Sequence, residues 1–236
     1  MEVLLKVKNL QTYIGQYHIL QGVSFEVRKG EVTVLLGRNG AGKTTTLRSI
    51  MGLNPPSQGK IIYDEHQEIQ GLPTYKIANL GIGYVPEDQG IFGQLSVEEN
   101  MKVAMKKQDE ETLKRMDWIL NLFPDLKKFW KKPGGLLSGG QKQMLSIARA
   151  YLNDNQLLLI DEPSKGLAPI VVEKVMESIQ EMKKQTTIVL VEQNFMMAST
   201  IGDRFYIIDD GKTAYSGLMN QLVEDEQLKR KYLGIA

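Results

Sequence analysis

Gly37-Arg38-Asn39-Gly40-Ala41-Gly42-Lys43-Thr44 is a Gly-x-x-x-x-Gly-Lys-Thr run, and its reading decides the fold of this chain. Ahead of it lies an apolar strand pattern, Glu31-Val32-Thr33-Val34-Leu35-Leu36, and behind it a helical pattern from Thr45 through Met51. Strand, glycine-rich turn and helix are the context in which such a run binds phosphate. Glycines let the backbone wrap closely and aim N–H groups at phosphate oxygens. The helix N-terminus adds positive potential. Lys43 is placed to reach the β- and γ-phosphates, and Thr44 to offer its hydroxyl to Mg²⁺. The cradle is read as Gly37 through Thr45. A glycine turn beside a surface lysine, the alternative, leaves both flanks and a distant acidic pair unexplained.

That acidic pair closes the run Gln156-Leu157-Leu158-Leu159-Ile160-Asp161-Glu162. Continuous apolar character marks a parallel strand buried on both faces. Asp161, at its end, is a candidate Mg²⁺ ligand. Glu162 is placed to orient or polarise water. A further buried strand, Thr186 to Val191, ends at Glu192-Gln193-Asn194.

Working outward, Val3–Leu10 and Leu20–Val27 read as strands, with Tyr13 and Tyr17 between them. An aromatic there either stacks on a base or covers the core edge. Lys60–Tyr63 is a short strand of the same antiparallel layer, Pro73–Asn79 a short helix, and Gly81–Val85 a strand stopped by Pro86. Ser96 with Glu99 forms a capping box that opens a helix to about Lys106. Asp109–Phe123 is amphipathic, with Leu113, Met116, Ile119, Leu120 and Phe123 at helical spacing. The basic patch Lys127–Lys132 is broken by Phe129 and Trp130, and reads as a solvated face or a contact surface. Leu136-Leu137-Ser138-Gly139-Gly140-Gln141 precedes a helix from Lys142 to about Asn153, a second anion-friendly helix start. A helix from Pro169 to Lys184, strands at Arg204–Ile208 and Thr213–Ser216, and a charged helical tail from Leu218 to Tyr232 complete the chain. The alternation predicts an α/β fold: a P-loop NTPase core with an antiparallel β layer and an inserted helical subdomain. The expected division of the single domain 1–236 is core at 1–94 and 155–236, and helical subdomain at 95–154.

Bulk properties set limits. The 236 residues suffice for one large domain, and 42% hydrophobic residues suffice for a core. A formal charge of +1 gives no support to nucleic acid as a partner. There is no cysteine, which excludes disulfides and thiol catalysis. With His18 and His66 as the only histidines, a histidine zinc site is not expected. The N-terminal Met1–Val7 is too polar for a signal peptide, and no apolar run reaches membrane-spanning length.

Leu137-Ser138-Gly139-Gly140-Gln141, some twenty residues before Leu157–Glu162, joins the phosphate loop in a highly specific combination. With it the chain resembles the ATP-binding subunit of an ABC transporter over essentially its full length. The resemblance implies an ATPase that works as a dimer, with two nucleotides held between the phosphate loop of one subunit and the signature motif of the other. Ser138, Gly139, Gly140 and Gln141 then meet the nucleotide held by the partner's phosphate lysine, and Glu162 is the general base or water orienter. The cofactors implied are ATP and Mg²⁺, with Thr44, Glu87 and Asp161 around the metal.

Further details narrow the branch. Gly166-Leu167-Ala168-Pro169 after the acidic pair, and Glu87 where most members have glutamine, look like the branched-chain amino-acid importers and their urea and amide relatives. Gln193 stands where most members have histidine; it can hydrogen-bond the γ-phosphate but cannot shuttle a proton. The adenine-stacking aromatic falls on Ile14 or, with a one-residue shift, Tyr13. The partners implied are a sister ATPase or second copy, two integral membrane permeases and, indirectly, a solute-binding protein, at the cytoplasmic face of the membrane. Phe92, Leu95, Phe129 and Trp130 then line a groove for a permease helix or belong to the core. A soluble ABC ATPase acting on nucleic acid or ribosomes commonly carries two cassettes or long basic insertions, which this chain lacks. A non-catalytic scaffold is disfavoured by the intact Lys43, Asp161 and Glu162.

Overall fold

The computed structural model describes residues 2–234; Met1, Ile235 and Ala236, which the single-domain reading of 1–236 includes, lie outside the described residues. Strands β1 (Val3–Ile14) and β2 (Tyr17–Arg28) form a long antiparallel hairpin. Both are longer than the sequence suggests. The ladder continues through register shifts to Tyr13↔His18 and Ile14↔Tyr17, closed by Gly15 at φ +59° and Gln16. A two-residue hairpin loop needs positive φ, which glycine supplies without strain. Tyr13 and Tyr17 therefore lie within strands, at an exposed tip, rather than between strands.

The chain continues through β3 (Val32–Leu36), α1 (Lys43–Ile50) and β4 (Gln58–Tyr63), then β5 (Gln67–Glu68). The first sheet has the order β2-β1-β4-β5 and is antiparallel throughout. The second sheet adds β6 (Ile82–Val85), β7 (Leu157–Asp161), β8 (Thr187–Val191), β9 (Arg204–Asp209) and β10 (Lys212–Leu218). Its order is β10-β9-β3-β8-β7-β6, with all neighbours parallel except β9 and β10.

Strands β3, β7 and β8 are buried at every position, which explains their unbroken apolar sequences. The period of two divides their side chains between two cores. Leu35, Leu157, Leu159, Val189 and Val191 face the antiparallel sheet, together with Leu47 and Ile50 of α1 and Ile77 of α2 (Thr74–Asn79). Val32, Val34, Leu158, Ile160, Ile188 and Leu190 face the other way, onto the remaining helices.

Those helices are α3 (Val97–Ala104), α4 (Glu110–Leu122), α5 (Pro124–Lys128), α6 (Gly139–Tyr151), α7 (Pro169–Lys183), α8 (Phe195–Ile201) and α9 (Met219–Glu224). The capping box at Ser96 and Glu99 forms, and Asp109 caps α4. Met116, Ile119, Leu120 and Phe123 are buried, whereas Leu113 is exposed. Phe129 and Trp130 are half-buried and pack on the helical core; Phe92 stays exposed beneath the Arg149 guanidinium. The tail is not one helix. Asp225 ends α9, and its side chain accepts a hydrogen bond from the Leu228 amide to start a new turn.

The helices from α3 to α6 leave the sheet after β6 and return to β7, its immediate neighbour. One buried side chain ties down the departing loop. Asn100 Oδ1 accepts from the Phe92 amide at 2.9 Å, and its Nδ2 donates to the carbonyls of Phe92, Leu95 and Ser96 at 2.9–3.1 Å. Asn100→Ala leaves these groups without their partner, and is expected to cost about 2–4 kcal/mol of unfolding free energy in urea titrations. A loss under about 0.5 kcal/mol, the size of an ordinary surface substitution, contradicts this role.

Candidate active site

Strand β8 lies between β3 and β7, with Leu35 and Asp161 both in register with Val191. The C-terminal ends of three parallel strands thus deliver three loops to one point, the crevice where open α/β sheets bind ligands. β3 delivers the phosphate loop, β7 delivers Asp161 and Glu162, and β8 delivers Glu192 and Gln193.

The phosphate loop needs its glycines for space as well as for φ. A Cβ on Gly37 would lie 2.1 Å from the Ile208 carbonyl oxygen, and one on Gly42 would lie 2.7 Å from Leu20 Cδ2. Lys43 is 5% exposed. Its Nζ donates to the carbonyls of Gly37 (2.9 Å) and Arg38 (3.1 Å), and stands 3.7 Å from Glu162 Oε1. Burial pushes its pKa down, against the opposing pull of Glu162 and Asp161.

Asp161 is fully buried. Thr44 donates to Oδ1 at 3.0 Å and Tyr84 donates to Oδ2 at 3.3 Å. Burial pushes the Asp161 carboxyl up to about 6, with the Thr44 hydrogen bond opposing. Glu162 has φ +45°, a left-handed conformation that costs a non-glycine residue about 1–3 kcal/mol. Its amide donates to the Val191 carbonyl at 2.9 Å, which pins it to the end of β8. The Gln193 side-chain amide donates to both Glu162 Oε1 and Asn39 Oδ1. Lys165 pairs with Glu87 and stands 3.7 Å from Glu162 Oε2. Glu192 is 2% exposed, and burial pushes its carboxyl upward against four hydrogen-bond donors.

A cleft of about 280 Å³ is lined by Ile19, Asn39, Gly40, Gly42–Thr45, Glu87, Glu162 and Lys165. Asp161 and Gln193 border it through Thr44 and Glu162 respectively. Three of the sequence-predicted positions contribute only backbone or packing. Gly37 and Ala41 are buried beneath the loop, and the Arg38 side chain turns away to the Lys231 carbonyl at 3.3 Å. Tyr13 stacks on His18, ring centroids 4.1 Å apart, and Ile19 rather than Tyr13 or Ile14 lines the cleft.

Ser138–Gln141 stand outside the cleft, at the start of α6. Ser138 Oγ accepts from the Gln141 amide and Gln141 Oε1 accepts from the Ser138 amide, a second capping box. Sequence reasoning missed Ile19, Tyr84, Ser164, Lys165 and Glu192 as neighbours of the site. Lys165 and Glu192 adjoin the motif residues, but nothing in their spacing shows what they bond.

The donor set fits Mg²⁺. Among the described residues no group of three or more His, Cys, Asp or Glu side chains forms a metal cage. A hydroxyl and one or two carboxylates beside a phosphate cradle are what Mg²⁺ uses when substrate oxygens and water complete its shell.

Fold and cleft define a P-loop nucleotide-hydrolase cassette. Residues 20–165 match the family model described as ABC transporter. The high-affinity branched-chain amino acid transport ATP-binding protein BraG of Pseudomonas aeruginosa is 38% identical, the match spanning 98% of this chain and 100% of BraG. The probable branched-chain amino acid transport ATP-binding protein LivF of Archaeoglobus fulgidus is 37% identical over 98% of this chain and 99% of its own. A solved dimeric bacterial ABC transporter cassette superposes with a TM-score of 0.80 at 26% identity, covering 91% of this chain and 98% of that one. The chain belongs to the ABC transporter ATP-binding family, and is an ATPase coupled to transport. Among the described residues no helix is long and apolar enough to cross a membrane.

The buried Asp161 makes a stability prediction for the nucleotide-free protein. Its pKa of about 6 lies above the ordinary 3.8, so the folded state holds the proton more tightly than the unfolded state. The stability it contributes is full below about pH 4 and is lost as pH rises through about 6. Asp161→Asn cannot ionise, and its amide can still face Thr44 and Tyr84. Without Mg²⁺ and at about pH 8, it is expected to be more stable than the wild type by about 1–3 kcal/mol, an advantage that shrinks as pH falls to about 4. Denaturant titrations across that range check the trend, and a pH-independent difference contradicts it.

Proposed function

We propose that this chain is the ATP-binding, ATP-hydrolysing subunit of an importer for branched-chain or other hydrophobic amino acids. The observation that carries the ATPase reading is the meeting of Lys43, Thr44, Asp161, Glu162 and Gln193 at the ends of three adjacent strands. The solute class rests on full-length similarity to BraG and LivF, and on the Gly166–Pro169 ending.

In this reading the loop from Gly37 to Thr45 cradles the phosphates with its amides. Lys43 leaves the carbonyls of Gly37 and Arg38 for the β- and γ-phosphates. Thr44, Asp161 and Glu87 would hold Mg²⁺, which would offset charge on the phosphate oxygens. Glu162 takes a proton from the attacking water, whose oxygen bonds to the γ-phosphorus as the bond to ADP breaks. Gln193 orients Glu162, and through it the water. Residues 95–154 act as a helical unit between core segments 1–94 and 155–236.

A single chain keeps Ser138–Gln141 apart from its own cleft, so a second cassette supplies the facing half of each site. This subunit sits peripherally at the cytoplasmic face against two membrane permeases, which receive solute from a binding protein. Solute class is tested on that binding protein: leucine is expected to raise its melting temperature, whereas a response to urea or short amides alone moves the system to that branch.

Glu162→Gln keeps size and removes the carboxylate. ATP binding is expected to survive while turnover of the assembled transporter falls roughly 10²-fold or more. Near wild-type hydrolysis would sink the assignment. The shared site is tested by crosslinking Ser138→Cys to a cysteine in the partner's phosphate loop, in a background with no native cysteine. The crosslink is expected in the hydrolysis-blocked, ATP-loaded complex and absent without ATP; failure with both proteins folded rejects the shared site.

A further inference from the structure

One buried carboxylate beside the cleft has no part in the mechanism above. Glu192 directly follows β8 and accepts four hydrogen bonds. Its Oε1 takes the Ser164 hydroxyl (2.9 Å) and the amides of Gln193 (2.8 Å) and Asn194 (2.8 Å). Its Oε2 takes the Ser164 amide at 3.3 Å. Ser164 is 8% exposed and lies two residues beyond Glu162, in the turn where the Lys165 amide donates to the Glu162 carbonyl. Gln193 is the residue whose side chain holds Glu162 Oε1 and Asn39 Oδ1.

One carboxylate therefore grips both loops. On one side it fixes the backbone of Gln193. On the other it fixes the turn that leaves Glu162. Glu162 itself sits at φ +45°, a conformation that relaxes unless its surroundings hold it. A carboxylate buried this deeply is tolerated only where donors surround it, and here every donor comes from those two loops.

We propose that Glu192 is a positioning residue for hydrolysis, a clasp that sets Glu162 and Gln193 at their working separation without touching nucleotide. It is not needed for nucleotide binding. The Gly37–Thr45 cradle hangs from β3 and α1, and Glu192 makes no side-chain hydrogen bond to it. Loss of the clasp misplaces the acid and its orienting amide, and misplacement on the ångström scale costs turnover rather than affinity.

The inference rests on the ATPase reading above, and the experiment separates the two. Wild type and Glu162→Gln are assayed alongside as controls; an active wild type with an inactive Glu162→Gln upholds that reading whatever Glu192 does. In the assembled transporter, Glu192→Ala is expected to lower kcat about 10²-fold, with KM for ATP within about twofold of wild type. Glu192→Gln retains an oxygen for the three shortest hydrogen bonds and loses only the 3.3 Å contact, so it is expected to recover kcat to within about threefold. Amide hydrogen exchange of the nucleotide-free chain supplies a readout independent of activity: Ser164, Gln193 and Asn194 should exchange faster in Glu192→Ala and not in Glu192→Gln. If Glu192→Ala does not fold, Ser164→Ala carries the test, with lower kcat and unchanged KM expected. Wild-type kcat in Glu192→Ala or its stand-in, a loss confined to KM, or equal losses in Ala and Gln variants would overturn the proposal.

Discussion

Four charged side chains, one opening α1 and three at or just past the ends of β7 and β8, are withdrawn from water, and the site depends on how each is compensated. Lys43, Asp161, Glu162 and Glu192 are all under 8% exposed. An isolated buried charge is far too costly to keep, so each must find donors, acceptors or an opposite charge nearby. Lys43 has two carbonyls and Glu162; Asp161 has Thr44 and Tyr84; Glu192 has Ser164 and two backbone amides. These partners come from different strands and loops. Satisfying the charges therefore assembles the loops, and the same bonds that lower the burial cost fix the geometry of the cleft.

Not every pair around the cleft carries equal weight. Lys43 and Glu162 face each other across 3.7 Å with little solvent to screen them. Lys165 and Glu87 are 58% and 38% exposed at their side chains, and exposed pairs contribute about 0–1 kcal/mol. The difference matters for loading. In the proposed reading the outer pair would separate at little cost when nucleotide and metal bind. Lys43 would exchange two neutral carbonyls for charged phosphate oxygens.

The features legible in sequence are those whose cause is local. A glycine turn between strand and helix, an unbroken apolar strand ending in acids, a capping box at Ser96 and a helix start at Ser138 each need only a few consecutive residues, and each forms. What escaped depends on residues far apart. The Glu192–Ser164 clasp spans 28 positions, the Gln193–Asn39 bond 154, and the Lys165–Glu87 pair 78. The length of the β1–β2 hairpin escaped for another reason. Its tip, Tyr13 to Tyr17, is exposed throughout and follows register shifts in the ladder, so burial gives no pattern to read; only Gly15 marks the turn. Helix α8 is seven residues, too short for periodicity to speak, and shows itself only through the Asn194 cap.

The start of α6 shows how a motif read for one purpose serves two. Gly139 and Gly140 look like phosphate-approach glycines, and a small residue is what close backbone contact with a nucleotide requires. Within a single chain, Gly140 already has a different reason to be small. A Cβ there would lie 2.5 Å from Val171 Cγ1, so the N-terminal turn of α6 and the first turn of α7 pack through the missing side chain. Gly139 is under no such pressure, with Leu167 Cδ2 at 3.9 Å. Substitution at Gly140 thus disturbs the α6–α7 contact whether or not nucleotide is present, whereas a Cβ at Gly139 meets nothing closer than Leu167 Cδ2. Since α7 follows directly from the Glu162 turn, the Gly140 contact also ties the signature helix to the acid loop.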